Sequence, residues 1–277
     1  MVIRGTPPGS GARAEGPVRR GAADSRRLPL YAAGEIDVEY VVRGTDEAID
    51  RDTAWEEHSH PTHELLWNRR GASSASVGPR VWTITPMVGL WIPAGTPHAG
   101  WTPAGTVHHA VQFRVRSVPA ISGEPVAVDV TPLLRLLLDR LTAEGLDPAA
   151  RARTEAVVFD LLAPARNGLL LRIPESRLLA PIVAAVGDDP ADATTLAGWA
   201  SRLGVSTRTI TRAFQAETGL GFSRWLATAR AQRAVELLAR GEQIADVAEQ
   251  VGYHSASAFG TAFRRVTGMN PARYRSR

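Results

Sequence analysis

The sequence contains no cysteine among its 277 residues. Disulfides, thiolate metal sites and thiol redox switches are thereby excluded. Lysine is missing too, so all 32 basic residues are arginine, set against 28 acidic ones for a formal net charge of only +4. An all-arginine basic set suits bidentate contacts to phosphate and guanine. A genomic base composition that favours Ala, Gly, Pro and Arg codons is the better account of it, so the arginine count alone does not point to nucleic acid. No run approaches the ~18 apolar residues of a membrane helix. The opening stretch, MVIRGTPPGSGARAEGPVRRGAADSRR, lacks the apolar core of a signal peptide. A cytoplasmic protein with no membrane partner is expected. What is present is an ordinary globular composition, 44% hydrophobic and 22% charged, in a chain long enough for two domains.

Residues 1–28 are rich in Gly, Pro, Ala and Arg without periodicity, and are expected to be a disordered tail. Residues 29–120 carry short apolar runs broken by turn residues: IDVEYVV, ELLWN, RVWTIT, GLWIPAG and HHAVQFRV. Their Trp, Val, Ile and Thr content is that of an all-β sandwich or barrel. Residues 121–174 hold two segments of helical period, TPLLRLLLDRLTAEG and PAARARTEAVVFDLL, joined at Gly145 to Pro148 with Thr131 and Pro132 as cap and first turn. Leucines surround much of the first helix, which predicts burial either against its own domain or in a homodimer contact at 131–162.

Residues 175–277 look helical throughout, in pieces separated by glycines. LAGWASRLG places Leu196, Ala200 and Leu203 on one face and stops at Gly204; Ser206 then caps a helix ending at Gly219. A long helix of about 17 residues follows, from Ser223 to Ala239, and spans roughly 25 Å. The pattern then returns, as IADVAEQVG to Gly252 and a helix from near Ser255 to Gly268. Helix, tight turn, helix occurs twice, an internal repeat. Each second helix has an apolar i, i+4 pair to face inward, Ile210 with Phe214 and Phe259 with Phe263. The opposite face of the first offers Ser206, Thr207, Arg208, Thr211, Arg212 and Gln215; that of the second offers His254, Ser255, Ser257, Thr261, Arg264 and Arg265. Short polar groups and arginines are what a recognition helix needs to reach base edges and phosphates, and a stiff spacer of this length suits successive major grooves about 34 Å apart. From Pro181 to Arg277 there are 12 Arg against 8 acidic residues, a modest local excess.

IADVAEQVGYHSASAFGTAFRRVTGMNPARYR resembles the C-terminal signature of AraC-type transcriptional regulators, through Ile244, Ala248, Gly252, Tyr253, Phe259, Phe263, Arg264, Arg265, Gly268, Pro271 and Tyr274 among others. LAGWASRLGVSTRTITRAFQAETG is similar to that family's first helix-turn-helix. The resemblance covers about residues 178–277. It implies an all-α DNA-binding domain with two helix-turn-helix motifs, promoter double-stranded DNA as partner, and contact with RNA polymerase if the protein activates. Family members often have arginine where this chain has Thr261, which implies that the first motif carries most of the specificity.

The segment HSHPTHE, residues 58–64, raises a separate question. His58, His60 and Glu64 share strand parity, which puts three ligand-type groups on one face; His63 does not share it. HSHPTHE and PAGTPH, residues 93–98, resemble the two motifs of a cupin barrel. That resemblance implies His58, His60, Glu64 and His98 as ligands of one divalent transition metal, Zn, Mn, Fe or Ni. An organic effector held without metal, and a purely structural role, remain open beside it. Trp55, Trp67, Trp82, Trp91 and Trp101 lie near these motifs, and Trp91 joins the four ligand-type residues as a candidate wall of an effector pocket. Of His108 and His109, at most one can face inward. The fold class expected is α+β and multi-domain: a cupin-like β-barrel followed by an all-α domain with two helix-turn-helix motifs. The function expected is regulation of transcription by a small molecule or metal in the barrel. The alternative is a metal-dependent cupin enzyme with an appended helical domain, against which no separate acid, base or nucleophile of clear spacing stands out.

Overall fold

The computed structural model describes residues 23–118, 120–143, 145–165 and 168–275. The first half is built from β1 (Asp24–Arg26), β2 (Val42–Ala48), β3 (Thr53–His58), β4 (His63–Arg70), β5 (Ser73–Val77), β6 (Arg80–Ile84), β7 (Val88–Ile92), β8 (His98–Thr102), β9 (Val107–Phe113) and β10 (Val126–Asp129). Helices α1 (Pro132–Thr142) and α2 (Pro148–Leu161) and strand β11 (Leu170–Arg172) follow. The strands form two facing sheets, ordered β1-β3-β8-β5-β6-β11 and β10-β7-β4-β9-β2.

Two layers of apolar contact explain this arrangement. Leu66, Ala75, Trp82, Ile84, Leu90 and Ile92 meet between the sheets. The outer face of the second sheet presents Leu65, Trp67, Trp91, Val111 and Phe113 to Leu134, Leu138 and Leu141 of α1 and Val158 of α2. Both faces of β4 and β7 are therefore buried over most of their length, and their middles, Leu65–Trp67 and Leu90–Ile92, read as unbroken apolar runs rather than alternating ones. The outer face of the first sheet, with Ser74, Ser76, Val81, Thr83 and Trp101, looks toward the C-terminal half.

Thr131 caps α1 by accepting from the Leu134 amide at 3.2 Å, with Pro132 in the first turn. Part of the leucine set of α1 packs on its own sheet, while Leu133 and Leu136 stay exposed. Three sequence readings need correction. IDVEYVV is not a strand: only its last residue, Val42, enters β2; Ile36, Val38 and Tyr40 alternate with Asp37 and Glu39 as a strand would, but Ile36 stays exposed and Asp37 is held by Arg114 and Arg116 instead of by a neighbouring strand. The expected tail lies outside the described residues up to position 22, but its end is paired, Asp24–Arg26 running parallel to Thr53–Trp55. The segment expected to be a helical linker also supplies β10 and β11 to the two sheets.

The second half holds α3 (Ala180–Asp188), α4 (Leu196–Leu203), α5 (Thr207–Thr218), α6 (Phe222–Ala239), α7 (Ile244–Gln250) and α8 (Ala256–Thr267), then a 3₁₀ turn at Pro271–Arg273. Thr195, Ser206 and Ser255 cap α4, α5 and α8 with their side-chain oxygens, and left-handed Gly204, Gly219 and Gly268 end the same three helices. Helix α6 is the common wall of two cores. Phe222 and Trp225 at its start pack with Ile210 and Phe214; Ala234, Val235 and Leu238 near its end pack with Val247, Phe259 and Phe263.

Candidate functional site

The end of β3, the start of β4 and the start of β8 converge on a cavity of about 210 Å³ inside the barrel. His58 is the last residue of β3 and pairs with His98, the first of β8. Glu64 is the second residue of β4, and His60 sits in the connection between β3 and β4. The shared parity of His58, His60 and Glu64 is therefore not that of one strand: a turn at Ser59–Thr62 reverses the chain and brings the three together. Candidate ligand atoms of His58, His60 and His98 all lie within 4.8 Å of one another. Glu64 reaches them from the facing sheet, 3.4 Å from His60 Nε2 and 3.3 Å from His98 Nε2.

The orientation of two imidazoles is fixed from behind. His58 Nδ1 lies 2.7 Å from the Glu56 carbonyl and His98 Nδ1 lies 3.0 Å from that of Thr96. A carbonyl oxygen only accepts, so each Nδ1 carries the proton and each Nε2 is left to face the cavity. Glu64 is 3% exposed. Burial pushes its carboxyl upward, but the hydrogen bond to His98 and the charges of His60, His98 and His108 outweigh that and hold it at about 2. Burial likewise lowers His98, and the Glu64 carboxylate beside it reverses the direction, leaving His98 raised. His58, with no carboxylate bonded to it, is lowered by burial.

The donor set passes a direct test of fit for a divalent cation. Glu64 Oε2 is buried, and among the described residues it has only the long 3.3 Å approach of His98 Nε2 to satisfy it. A carboxylate oxygen left this way beside imidazole nitrogens has the charge and lone pairs that a cation satisfies. Three imidazoles with one carboxylate form a nitrogen-rich set suited to Zn²⁺, Mn²⁺, Fe²⁺ or Ni²⁺.

Three further side chains complete the site without any motif to announce them. Gln112 Nε2 donates to Glu64 Oε1 at 2.6 Å, while its Oε1 accepts from Thr62 Oγ1. His108 lines the cavity, 3.3 Å through Nδ1 from Asn68 Oδ1 and lowered by burial. Trp55 lies at the wall with its indole N–H donated to Thr102 at 3.1 Å. The signal that finds His108 and Gln112 is the alternation of β9: residues 108, 110 and 112 line the cavity, while His109 points out and bonds Asp46. Trp91, expected at the pocket, is not there. It lies on the opposite face of β7, stacked at 5.2 Å on His63, because its neighbours Leu90 and Ile92 are the residues that point inward. Trp67 and Trp82 are likewise core. His63 stands apart from the cluster and accepts from the Ala94 amide at 3.0 Å.

In the C-terminal half, all twelve candidate positions on and around α5 and α8 are exposed. Several of them also serve their own helix. Ser206 and Ser255 accept from the amides of Thr209 and Ala258. Thr211 and Thr261 bond back to the carbonyls of Thr207 and Ser257. Gln215 donates to the Gly219 carbonyl at 3.0 Å. Arg208 and Arg212, one turn apart on α5, are the long cationic side chains of that face, as Arg264 and Arg265 are on α8.

Comparison with known proteins agrees with this division. A model described as the AraC-like ligand binding domain matches residues 43–162, and one described as a helix-turn-helix domain matches residues 199–277. The HTH-type transcriptional regulator NimR of Escherichia coli K12 is 26% identical over 224 residues, which cover 79% of this chain and 82% of that one. A putative AraC-like transcription regulator of Streptomyces antibioticus is 30% identical over 186 residues, covering 66% of this chain and 54% of that one. Among solved structures, apo ToxT K231A from Vibrio cholerae aligns over 86% of this chain and 98% of its own with 11% identity and a TM-score of 0.37.

Proposed function

This chain belongs to the AraC-type transcriptional regulators, with an N-terminal ligand-binding domain and a C-terminal helix-turn-helix DNA-binding domain, and from that premise we propose that its effector is received by the histidine cluster inside the barrel. The observation that carries the proposal is the convergence of His58, His60, Glu64 and His98 on one enclosed space. His58, His60 and His98 would hold a divalent transition metal through nitrogen, with Glu64 as the carboxylate. When bound, the metal supplies a Lewis-acidic point for an oxygen of the effector. The chain's own residues do the rest: Gln112 orients Glu64 through its amide, the Glu56 and Thr96 carbonyls orient His58 and His98, and Leu66 and Ile84 form an apolar wall. A cavity of about 210 Å³ takes a molecule of one or two rings, since about 150 Å³ suffices for benzene.

On the DNA side, α5 is assigned as the principal reading helix. Arg208 and Arg212 reach base edges or phosphates, Thr207 approaches the groove at the helix start, and α8 contributes mainly phosphate contacts through Arg264 and Arg265. Such a regulator acts in the bacterial cytoplasm, and no helix among the described residues is long and apolar enough to cross a membrane. Regulation, not catalysis, is the role assigned to the histidine cluster.

The experiment is elemental analysis of tag-free full-length protein beside a His58→Ala/His60→Ala double variant, followed by salt titration of DNA binding. Near one metal equivalent, lost in the variant, is expected. Failure to take up metal after reconstitution overturns the metal assignment. DNA affinity should fall steeply as salt rises; salt-independent association would overturn the assignment of α5 and α8.

A further inference from the structure

A second cavity, of about 280 Å³, lies between the outer face of the first sheet and helices α3 and α6. It is distinct from the histidine-lined space, and β5 and β8 form the partition: Ser74, Ala99 and Gly100 border both cavities. Along β8 the side chains alternate, His98 and Thr102 facing the inner cavity and Trp101 the outer one. The far wall belongs to the helical half. Trp225, Ala229, Gln232, Arg233 and Glu236 of α6 all line it, and their spacing puts them along one face of that helix. The face runs from apolar at Trp225 and Ala229 to polar at Gln232, Arg233 and Glu236, so the cavity has an apolar end and a polar end.

The polar end is specific about what it takes. Glu236 is 6% exposed and is paired with Arg233 Nη1 at 3.0 Å, so its charge is already balanced. Gln232 Nε2 donates to the Val81 carbonyl at 2.9 Å and to that of Leu169 at 3.4 Å, so the group this side chain offers an occupant is its acceptor oxygen. A carboxylate–guanidinium pair and the Gln232 amide oxygen at one end, with indole and aliphatic surface at the other, suit an apolar molecule carrying a hydrogen-bond donor for that oxygen. A charged occupant would bring an uncompensated ion to a site whose own charges are paired. The volume is nearly twice the roughly 150 Å³ that admits benzene. We propose that this interdomain cavity is a second small-molecule site, for an uncharged bicyclic aromatic compound bearing one N–H or O–H donor.

An occupant there touches the barrel and α6 together. It binds the docked arrangement of the two halves and favours that arrangement over any other. Because α6 also walls the cores of both helix-turn-helix units, the second site has direct mechanical access to the DNA-reading helices, independent of the histidine cluster.

The test uses full-length protein and 5-fluoroindole, followed by ¹⁹F NMR. Saturable binding is expected. Ala229→Phe fills the cavity from α6 and Ser76→Leu fills it from β5; each should weaken the probe by about tenfold or more, the cost of about 1.4 kcal/mol of lost contact. A His58→Ala/His98→Ala variant should bind as the parent does. Melting curves accompany each variant, and if Ala229→Phe does not fold, Ser76→Leu decides. Absence of saturable binding overturns the proposal. So does a probe that survives both filling variants and is lost in the histidine variant, since it would then occupy the barrel.

Discussion

Replacing Gly252 by alanine separates two costs that are usually merged. Gly252 follows α7 with φ +78°, and Gly204 follows α4 in the equivalent place with φ +66°. Both variants incur the left-handed penalty of a residue with a Cβ, about 1–2 kcal/mol. Their surroundings differ. A Cβ at Gly204 meets nothing within 4 Å, whereas one at Gly252 would lie 2.6 Å from Arg230 Nη2 and 2.9 Å from Ala191 Cα. The backbone atom cannot yield, so Arg230 must. That guanidinium donates to the carbonyls of Pro190 at 2.8 Å, Asp192 at 3.2 Å and Gly252 at 3.3 Å, and lies over the Tyr253 ring. It ties the loop before α4 to the turn of the second motif. Hydrogen bonds from a charged group are worth about 1.5–3 kcal/mol, so Gly252→Ala should cost about 2.5–5 kcal/mol against about 1–2 for Gly204→Ala. At roughly 2–4 °C per kcal/mol for a chain near this size, calorimetry on the full chain resolves the two. In an Arg230→Ala background the excess at position 252 should shrink by the part owed to Arg230 and keep the part owed to the Ala191 backbone, as expected when two residues share one of two contacts. Equal melting shifts for the two glycine variants, or strict additivity with Arg230→Ala, would refute the reasoning.

Other outcomes follow from the same geometry. Phe214→Ala removes a side chain at 0% exposure packed 5.2 Å from Trp225, and Phe263→Ala removes its counterpart in the second motif; each should lower stability by about 3–5 kcal/mol, and an unshifted melting midpoint would show that the ring is not core. Arg208→Ala and Arg212→Ala should each weaken DNA binding and reduce the salt slope by about one if the side chain contacts phosphate; unchanged slopes and affinities would remove α5 as the reader. The Asp46 carboxyl gains stabilisation from Arg69 and His109 that outweighs its burial, so its folded value lies below the ordinary 3.8. A depressed carboxylate contributes stability that is fully present above the unfolded value and is lost as pH falls through the folded one. Melting midpoints should therefore drop below about pH 3.8, and Asp46→Asn should flatten that drop; an Asn variant with the parent's acid profile would contradict the assignment.

How much of this was legible in the sequence depended on whether the signal was local. Caps and stops of helices are read from one or two residues, so Ser206, Gly219, Ser255 and Gly268 marked their helices well. The spacer helix came out within a residue of its observed start, Phe222. The barrel was harder because its strands are buried on both faces. In GLWI the inward pair, Leu90 and Ile92, and the outward Trp91 are all apolar, so nothing in composition says which face looks at the cavity. The histidine cluster was found by motif, but its geometry was not: parity along one strand was the wrong reason for a set that three elements assemble. Gln112 and His108 belong to a strand paired through long-range register, and register is not written in any short stretch.

Strand β11 carries one more consequence. Its backbone extends the barrel's first sheet by pairing with β6, while the Leu171 side chain is sealed into the core beside Trp199, Phe214 and Trp225, and Arg172 receives the Trp225 indole N–H at 2.8 Å. Composition would place the boundary between domains at about residue 175, just beyond this strand. A truncation there would leave the strand on the barrel fragment with its Leu171 side chain uncovered, and would take a plug from the core of the helical fragment, so neither fragment would behave as its intact counterpart does. Dissecting such a regulator into separately expressed halves therefore requires that Leu170–Arg172 be granted to both.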